Sequence, residues 1–289
     1  MYRFIDLFAG IGGFHLAFDR AGAKCVFASE IDPAARKTYE QNFKSISPEV
    51  FNGNFNEDIL KILPKDIPDH DILCAGFPCQ PFSQAGYKKG FDEKYQNRGN
   101  MFFTLADIID EKRPKAIFLE NVRHLLKHDK GKTFAVIHDT LEKDLKYNIV
   151  YKIVKASDYG LPQHRPRIYI VGFRKEDIYP ATFEFPAPIK PVITMSDIFG
   201  GNCDREVGYT LRVGGRGSPF GDRRNYEYYR VDGKIRRIGP IEGKKLMGFP
   251  DDFILPESES SAMKLLGNSV AVSAVELVAK KIVKYLNSR

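Results

Sequence analysis

The sequence predicts an α/β fold with a mostly parallel, doubly wound sheet and a second, small, loop-rich domain. Up to residue 184, short apolar runs alternate with amphipathic stretches, a pattern typical of strands that alternate with helices. Three prolines within residues 185–191 interrupt this pattern, and helical periodicity returns only from Ser261. These observations predict a main domain of residues 1–184 and 261–289 that carries a small module, residues 185–260.

Each element of the main domain follows from a local pattern. Apolar and β-branched runs predict strands at residues 3–8, 25–29, 71–75, 116–119, 147–156 and 167–173. Apolar residues at helical spacing predict helices at residues 14–21, 33–43, 101–110 and 131–144. From Met263 to Leu286 the apolar positions fit one long helical stripe.

The small module is basic and rich in turn signals, such as Asp232 followed by Gly233. Residues 201–245 hold eleven Lys and Arg against six Asp and Glu, in a chain whose net charge is +7. A basic patch confined to one segment indicates a polyanionic partner, although a charged run is usually a solvated face. Charge alone therefore leaves both interpretations open.

Composition narrows the class of protein. The 289 residues are 43% hydrophobic, which suits a globular chain, and no run of about 18 apolar residues indicates a membrane span. The N-terminus lacks the pattern of a signal peptide, so we expect a cytoplasmic protein. The four cysteines include no C-x-x-C pair, which argues against a disulfide framework and against a metal site.

A glycine-rich loop follows the first predicted strand. Gly10, Gly12 and Gly13 let the backbone turn tightly and approach a ligand closely. Glu30 follows the second strand, where a carboxylate can accept hydrogen bonds from ribose hydroxyls. The dinucleotide fingerprint G-x-G-x-x-G is absent, which disfavours a pyrophosphate and favours S-adenosylmethionine. A purely structural glycine turn is the alternative for this loop taken alone.

Cys79 follows the third predicted strand on a loop stiffened by Pro78 and Pro81. The end of such a strand is where open α/β sheets bind ligands. A buried, inert thiol is the commonest fate of a cysteine. The polar neighbours Gln80 and Ser83 favour an exposed thiol instead, and a nucleophile has to be exposed.

Two further segments carry charged side chains near strand ends. Glu120 and Asn121 end the fourth predicted strand, so the carboxylate can face the same cleft as Cys79. Arg165 and Arg167 are two residues apart in an extended segment and therefore share a face. They can orient the acid or grip a phosphate. A helix cap or surface acid is the alternative for Glu120.

Nine segments, in order along the chain, resemble the motifs of bacterial DNA cytosine-5 methyltransferases of restriction–modification systems. They are F-A-G-I-G-G-F (8–14), E-I-D (30–32), E-D-I (57–59), G-F-P-C-Q-P-F-S (76–83), R-G-N-M-F-F (98–103), L-E-N-V (119–122), Q-H-R-P-R-I-Y (163–169), L-M-G-F-P-D-D-F (246–253) and G-N-S-V (267–270). The resemblance covers almost the whole chain except residues 174–235, where this family itself varies. Chance cannot account for nine ordered matches.

The resemblance implies a Rossmann-like, S-adenosylmethionine-dependent methyltransferase fold and a cofactor pocket. Phe8 and Ile59 would sandwich the adenine, Glu30 would hold the ribose, and Asp58 would contact the adenine amino group. Ile31 is a departure, because close relatives carry tryptophan beside the adenine. The implied pocket residues are Phe8, Gly10, Gly12, Gly13, Glu30, Ile31, Asp58, Ile59, Pro78, Met101, Asn268 and Val270.

The resemblance also implies covalent catalysis. Cys79 would add to carbon 6 of cytosine, Glu120 would contact ring nitrogen 3 and the amino group, and Arg165 would steady the adduct from the oxygen side. The base would be flipped out of the duplex, with residues 80–99 as the loop that closes over it. The implied catalytic residues are Cys79, Gln80, Glu120, Asn121, Arg165 and Arg167.

Sequence recognition is predicted for the small module. Thr210 and Leu211 resemble the short signature of the family's target-recognition domain, and the arginines that follow suit guanine edges or phosphates about equally well. The module is short for the family, so we expect a short target sequence. The residues predicted to contact DNA are Ser83, Ala85, Thr210, Arg212, Arg216, Arg223 and Arg224.

The resemblance further implies a monomer that acts on double-stranded DNA in the cytoplasm, without a metal and without an obligatory complex with the endonuclease of the same system. A tRNA cytosine-5 methyltransferase is the first alternative, but that branch carries a Cys-Phe-Thr signature that this chain lacks. A catalytically inactive DNA-binding relative is the second, and the presence of Cys79, Glu120 and Arg165 argues against it. The glycine spacing disfavours a dehydrogenase.

Overall fold

The structure, a computed structural model, describes residues 1–78, 101–191, 193–213 and 217–288. Its strands are β1 (Arg3–Leu7), β2 (Lys24–Ser29), β3 (Phe55–Asn56), β4 (Ile72–Gly76), β5 (Ala116–Val122), β6 (Tyr147–Lys155), β7 (Pro166–Arg174), β8 (Tyr228–Val231) and β9 (Lys234–Arg237). Its helices are α1 (Gly13–Arg20), α2 (Pro33–Phe43), α3 (Met101–Lys112), α4 (Lys132–Asp139), α5 (Met195–Phe199), α6 (Pro240–Met247), α7 (Glu259–Asn268) and α8 (Val272–Leu286). All six predicted strands are present, whereas β3, β8 and β9 were not predicted.

Within the described chain, β1 to β7 form one sheet in the order β3-β2-β1-β4-β5-β7-β6. Strands β1 to β5 pair in parallel, whereas β7 runs antiparallel to both of its neighbours. Only residues 156–165 connect β6 to β7, a connection too short for the helical crossover that a parallel pair needs. The predicted mostly parallel sheet is confirmed.

Helices cover both faces of the sheet, as buried parallel strands require. On one face, Phe4 and Phe118 belong to a hydrophobic cluster that also contains the buried sides of α1 and α8. On the other face, Ile5 packs in a second cluster with Leu105 of α3 and Ile137 of α4. Alternate residues of β1 therefore pack against the helices on opposite faces of the sheet.

The C-terminal helical stripe is divided into two helices, contrary to the prediction of one. Ser269 is extended (φ −71°, ψ 166°) and ends α7, and α8 begins at Val272. The carbonyl oxygens of Gly267 and Ser269 accept hydrogen bonds from the buried guanidinium of Arg165. Because the apolar spacing continues across this break, periodicity alone could not reveal it.

One stretch of the described chain, Glu259–Leu286, is long enough and apolar enough to cross a membrane, judged by length and composition alone. Charged residues such as Glu276 and Lys280 interrupt it, so it is not a continuous apolar run. In the structure 72% of its most apolar window is buried inside the protein, where it packs as part of the core. The core helix of a globular protein meets the same criteria, so this stretch is weak evidence for a membrane span.

The predicted small module contains α5, the β8–β9 hairpin and α6. The hairpin turns at Asp232 and Gly233, where φ is +49° and +73°, so this turn signal is confirmed. Leu211 and Tyr229 of the module belong to the same hydrophobic cluster as Phe4 of the sheet. The module thus shares a core with the main domain, and the division into two domains stays a prediction.

A chain of polar side chains is buried beneath α1. The two ring nitrogens of His15 lie 2.6 Å from the hydroxyl of Tyr39 and 3.0 Å from that of Ser47. The ring also stacks on Phe43, with the centroids 4.1 Å apart. Burial lowers the pKa of His15 from 6.5 to about 3, so the folded protein holds the imidazole neutral.

We expect His15 to make the fold sensitive to acid. Because its pKa is lower in the folded than in the unfolded state, its stabilising contribution is present above pH 6.5 and is lost as the pH falls towards 3. The loss amounts to about 1.4 kcal/mol of unfolding free energy per pH unit. Urea unfolding at pH 7 and at pH 5.5 measures it against His15→Phe, which keeps the ring stack. Equal pH slopes for the two proteins would contradict this account.

Candidate active site

The carboxyl ends of β1, β2, β4 and β5 meet at one edge of the sheet. In the parallel register Leu7 pairs with Ser29 and with Ala75, and Gly76 pairs with Glu120. The segments that leave these four strands therefore begin side by side. Open α/β sheets bind their ligands at this edge.

The glycine-rich loop between β1 and α1 has an unusual backbone. Phe8, Gly10 and Gly12 all have positive φ, of 54°, 56° and 87°. A Cβ on Gly12 would lie 2.2 Å from the ring of Phe43, whereas one on Gly10 would meet no atom within 4 Å. Gly12 is therefore required for packing, and Gly10 leaves open space beside the loop. Positive φ at a phenylalanine is costly and is typical of functional sites.

The segment between α7 and α8 closes one side of this loop. A Cβ on Gly13 would lie 2.6 Å from Cγ2 of Val270, and one on Gly76 would lie 3.8 Å from Cγ1 of the same residue. Val270 thus contacts both the loop after β1 and the end of β4. Asn268, the last residue of α7, is exposed.

Glu30 braces the loop from the end of β2. Its Oε2 accepts a hydrogen bond from the amide of Gly10 at 2.7 Å, and its Oε1 accepts one from the amide of Asp32 at 2.7 Å. Each carboxylate oxygen keeps a further lone pair. Glu30 can therefore hold the loop and accept hydrogen bonds from a ligand at the same time.

The predicted adenine contacts occupy the neighbouring strand ends. Ile59 is buried in a hydrophobic cluster against which Phe8 packs. Asp58 accepts a hydrogen bond from the amide of Leu60 at 3.0 Å and so also caps a short 3₁₀ turn. Ile31 is 63% exposed, which leaves room beside it for a larger side chain.

These features fit an adenosine-bearing cofactor. The loop offers open space at Gly10, the braced carboxylate of Glu30 can accept hydrogen bonds from ribose hydroxyls, and Phe8 with Ile59 supplies apolar surface. The arrangement therefore suits the ribose and base of a nucleoside.

Glu120 and Arg167 form an ion pair at the end of β5. Nε of Arg167 lies 3.0 Å from Oε1 of Glu120, and both side chains are mostly buried. Burial raises the pKa of Glu120 above its ordinary value, although the charges of Arg167 and Arg165 oppose the rise. The carboxyl group is thus closer to protonation at neutral pH than an exposed glutamate, and it can act as a proton donor.

Asn121 ties β5 to the chain that follows β4. Its Nδ2 donates a hydrogen bond to the carbonyl oxygen of Phe77 at 2.8 Å, in a buried position. Phe77 lies two residues before Cys79. The exposed Pro78 and the half-buried Met101 are the last and first described residues on either side of residues 79–100. Four predicted site residues of this segment lie outside the described residues: Cys79, Gln80, Ser83 and Ala85.

Arg165, a predicted catalytic residue, lies in the interior of the protein. Its side chain is 2% exposed, and its guanidinium donates hydrogen bonds to the carbonyl oxygens of Leu211 (2.6 Å), Gly267 (3.0 Å) and Ser269. Burial lowers its pKa to about 9. Both terminal nitrogens of Arg165 therefore donate to backbone carbonyl groups, and Arg167 is the arginine that pairs with Glu120.

The predicted DNA contacts of the small module lie mostly at the surface. Arg212, Arg223 and Arg224 are exposed, and Thr210 is half-buried. Arg212 donates a hydrogen bond to the carbonyl oxygen of Arg224 at 2.7 Å. The guanidinium of Arg224 forms two hydrogen bonds with the carboxylate of Asp222, so fewer of its N–H groups remain to bind a ligand. Arg216 lies outside the described residues.

Sequence reasoning missed two buried polar residues of this region. Gln163 is completely buried and contacts two parts of the small module, Leu211 and Leu246 of α6. Asp6 is completely buried on β1, and burial raises its pKa well above its ordinary value while the backbone amide of His15 only partly offsets the rise. The position of Gln163 beside Arg165 in the chain was the available signal. For Asp6 no local pattern distinguished it from a loop aspartate.

The family model for C-5 cytosine-specific DNA methylases matches residues 2–211 and 212–284. The type II methyltransferase M.SsoII of Shigella sonnei is 44% identical over 323 residues, covering 99% of this chain and 81% of the relative. The type II methyltransferase M.HhaI of Haemophilus parahaemolyticus is 38% identical over 324 residues, covering 99% of this chain and 95% of the relative.

Solved structures show the same fold at lower identity. A DNA modification methyltransferase encoded within an E. coli prophage aligns with a TM-score of 0.75 at 22% identity, over 99% of this chain and 100% of that one. The Dnmt2 methyltransferase of S. pombe aligns with a TM-score of 0.70 at 20% identity, over 99% and 100% of the two chains. At these identities the likeness supports the fold.

The ion pair leads to a prediction about acidity. Replacing Arg167 with Met should raise the pKa of Glu120 further, because the positive charge that opposes the effect of burial is removed. Carboxyl ¹³C NMR across a pH titration measures the shift, with the Glu120 signal assigned from its loss in Glu120→Gln. Arg113→Met, which breaks the surface pair with Glu176, is the matched control. An unchanged Glu120 pKa in Arg167→Met would contradict the assignment of the pair.

Proposed function

This chain belongs to the C-5 cytosine-specific DNA methylase family, and from that premise we propose that Cys79, Glu120 and Arg167 methylate carbon 5 of a cytosine flipped out of duplex DNA. One observation carries the assignment of these residues. The hydrogen bond from Asn121 to the carbonyl oxygen of Phe77 joins the strand of Glu120 to the chain two residues before Cys79. One buried hydrogen bond therefore joins the strand that carries Glu120 to the segment that leads to Cys79.

Cys79 acts as the nucleophile because carbon 5 of cytosine is too electron-poor to take up a methyl group directly. The thiolate adds to carbon 6, and the electron pair released from the ring double bond makes carbon 5 nucleophilic. After the methyl group has transferred, a base removes the proton from carbon 5 and the thiolate leaves. The proton that ring nitrogen 3 gained from Glu120 during the addition returns to that carboxylate, which restores the ring. Asn121 positions this loop through the backbone of Phe77 and does not itself react.

Glu120 stabilises the charge that this addition places on the ring. A carboxyl group with a raised pKa can donate a proton to ring nitrogen 3 as the thiolate adds, and its second oxygen can accept a hydrogen bond from the amino group. Nε of Arg167, 3.0 Å from Oε1 of Glu120, fixes the orientation of the carboxyl group. We assign to Arg167 the contact with the exocyclic oxygen on carbon 2 that the resemblance implied for Arg165, because both terminal nitrogens of Arg165 donate to carbonyl groups.

When bound, S-adenosylmethionine supplies an activated methyl group and is released as S-adenosylhomocysteine. Glu30 would accept hydrogen bonds from the ribose hydroxyls. The hydrogen bond that it accepts from the amide of Gly10 holds the loop in place beside the ligand. Phe8 and Ile59 would enclose the adenine, and Asp58 would accept a hydrogen bond from the adenine amino group. We assign the remaining cofactor contacts to Gly12, Gly13, Ile31, Pro78, Met101, Asn268 and Val270.

The biological role we propose is protection of host DNA in a restriction–modification system, in a cytoplasmic monomer. Support comes from type II methyltransferases that match the full length of this chain. The small module would select a short target sequence through Thr210, Arg212, Arg223 and Arg224. Its exposed arginines and its excess positive charge suit a phosphate backbone and guanine edges.

Methylation of a plasmid co-expressed with this protein tests the proposal most broadly. Bisulfite sequencing would reveal one short sequence in which a single cytosine is consistently methylated. In vitro, transfer of tritiated methyl groups is compared between duplex DNA and tRNA. Unmethylated plasmid together with labelled tRNA would replace the proposal with the tRNA-modifying alternative.

Cys79→Ser should abolish methyl transfer while leaving the affinity for S-adenosylmethionine within about twofold, because a hydroxyl is a far weaker nucleophile than a thiolate at neutral pH. With a target duplex that carries 5-fluorocytosine, the wild-type protein should form a covalent adduct that survives denaturation, since the fluorine at carbon 5 cannot leave as a proton does. Gel electrophoresis detects this adduct. An adduct of equal yield with Cys79→Ser would assign the nucleophile elsewhere.

Ile31→Trp should strengthen binding of S-adenosylmethionine by roughly three- to tenfold, the effect of one added aromatic contact of about 0.5–1.5 kcal/mol. The position is 63% exposed, so the larger ring can be accommodated. Because the chain contains no tryptophan, fluorescence of this single indole reports directly on cofactor binding. Fluorescence that does not respond to the cofactor would remove Ile31 from the adenine site.

A further inference from the structure

A short segment of the small module lies along the chain that precedes β7. We call residues 208–213 the recognition segment. The amide of Gly208 donates a hydrogen bond to the carbonyl oxygen of Pro162 at 2.8 Å, and the amide of His164 donates one to the carbonyl oxygen of Gly208 at 3.0 Å. The recognition segment is therefore bonded through its backbone to the main domain.

Two buried side chains then hold both peptide groups that flank Leu211. Oε1 of Gln163 accepts a hydrogen bond from the amide of Leu211 at 2.8 Å, and Nη1 of Arg165 donates one to its carbonyl oxygen at 2.6 Å. We call this pair of side chains the clamp. Because the peptide planes on both sides of Leu211 are fixed, the directions of Thr210 and Arg212 are fixed as well.

Arg165 also bonds to the other side of the site. Its Nη2 donates hydrogen bonds to the carbonyl oxygens of Gly267 and Ser269, at the break between α7 and α8. A Cβ on Gly267 would lie 2.8 Å from the carbonyl carbon of Arg212, so the recognition segment rests directly on the end of α7. Two residues after Arg165, Arg167 pairs with Glu120.

The clamp is buried and its chemistry is specific. Gln163 is 0% and Arg165 2% exposed, and Nε2 of Gln163 donates its own hydrogen bond to the carbonyl oxygen of Leu246 at 2.9 Å. Losing either side chain leaves buried backbone groups without partners. A lysine keeps the charge of Arg165 but lacks the planar fork that reaches three carbonyl oxygens at once.

We propose that Gln163 and Arg165 are positioning residues for target selection. They hold Thr210 and Arg212 in a fixed relation to the pocket of Glu120 and Arg167, so that reading the flanking bases is coupled to methyl transfer. This inference rests on the proposed function, since it concerns how the same enzyme chooses its cytosine.

The proposal predicts loss of selectivity in particular. Contacts with base edges depend on donors placed within a few tenths of an ångström, whereas contacts with phosphates tolerate displacement. Loosening Leu211 should therefore weaken discrimination between sequences, and affinity for random duplex DNA should stay nearly constant. A clamp that only supports the fold would lower stability without changing discrimination.

Three variants separate these outcomes. Gln163→Met keeps the side-chain volume and removes the bond to the recognition segment. Arg165→Lys weakens the bonds both to the recognition segment and to the α7–α8 break. Ile282→Ala, in the buried core of α8, is a control that lowers stability away from the clamp. The ratio of kcat/KM between the target duplex and duplexes with one base pair changed is measured for each, together with the KM for S-adenosylmethionine and the melting temperature.

We expect Gln163→Met to reduce the discrimination ratio by about tenfold or more with an unchanged KM for S-adenosylmethionine, the effect of a lost buried hydrogen bond. Arg165→Lys should reduce the ratio and also raise that KM, because Gly267 and Ser269 flank Asn268 of the predicted cofactor pocket. Ile282→Ala should lower the melting temperature only. Ratios that stay at the wild-type value in both clamp variants would overturn the proposal.

Two controls keep the test decisive. Wild-type protein that methylates no duplex DNA would refute the proposed function, whereas normal wild-type activity with unchanged clamp variants would refute only the clamp. If the variants fail to fold, hydrogen exchange of the wild-type protein serves instead. The amide of Leu211 should exchange as slowly as amides of the central strands, and rapid exchange would overturn the proposal.

Discussion

The buried ion pair between Glu120 and Arg167 is the interaction on which the rest of the site depends. A carboxyl group at the end of a buried strand needs a partner, because an isolated charge there would be costly. Arg167 can supply it because β7 runs antiparallel beside β5, which brings the start of β7 next to the end of β5. In the described seven-stranded sheet, the reversed direction of β7 thus places Arg167 beside Glu120.

Arg165 organises the surroundings of that centre from a position two residues away. Its guanidinium joins the recognition segment to the break between α7 and α8, while Asn121 joins β5 to the chain before Cys79. Polar residues near two strand ends therefore make different kinds of contact. Glu120 and Arg167 pair with each other, and we propose that they face the substrate, whereas Asn121 and Arg165 form hydrogen bonds with the backbone around them.

Much of this could be predicted from the sequence because it depends on local patterns. Short stretches of chain are enough to predict the alternating strands and helices, the glycine-rich loop and the acid after β2. The separate roles of Arg165 and Arg167 could not be predicted, because spacing puts both on one face and only tertiary contacts distinguish them. The break at Ser269 was also hidden, since the apolar stripe continues through it and Arg165, which binds the carbonyl groups there, is more than a hundred residues away in sequence.

The most direct test of this division of labour is a crystal structure of the protein trapped on a duplex that carries 5-fluorocytosine at the target position. We expect Glu120 to lie within hydrogen-bond distance, about 3 Å, of ring nitrogen 3. Arg167 should face the exocyclic oxygen on carbon 2, while Arg165 still binds the carbonyl oxygen of Leu211. A base held by Arg165, with Leu211 released, would contradict this division of labour.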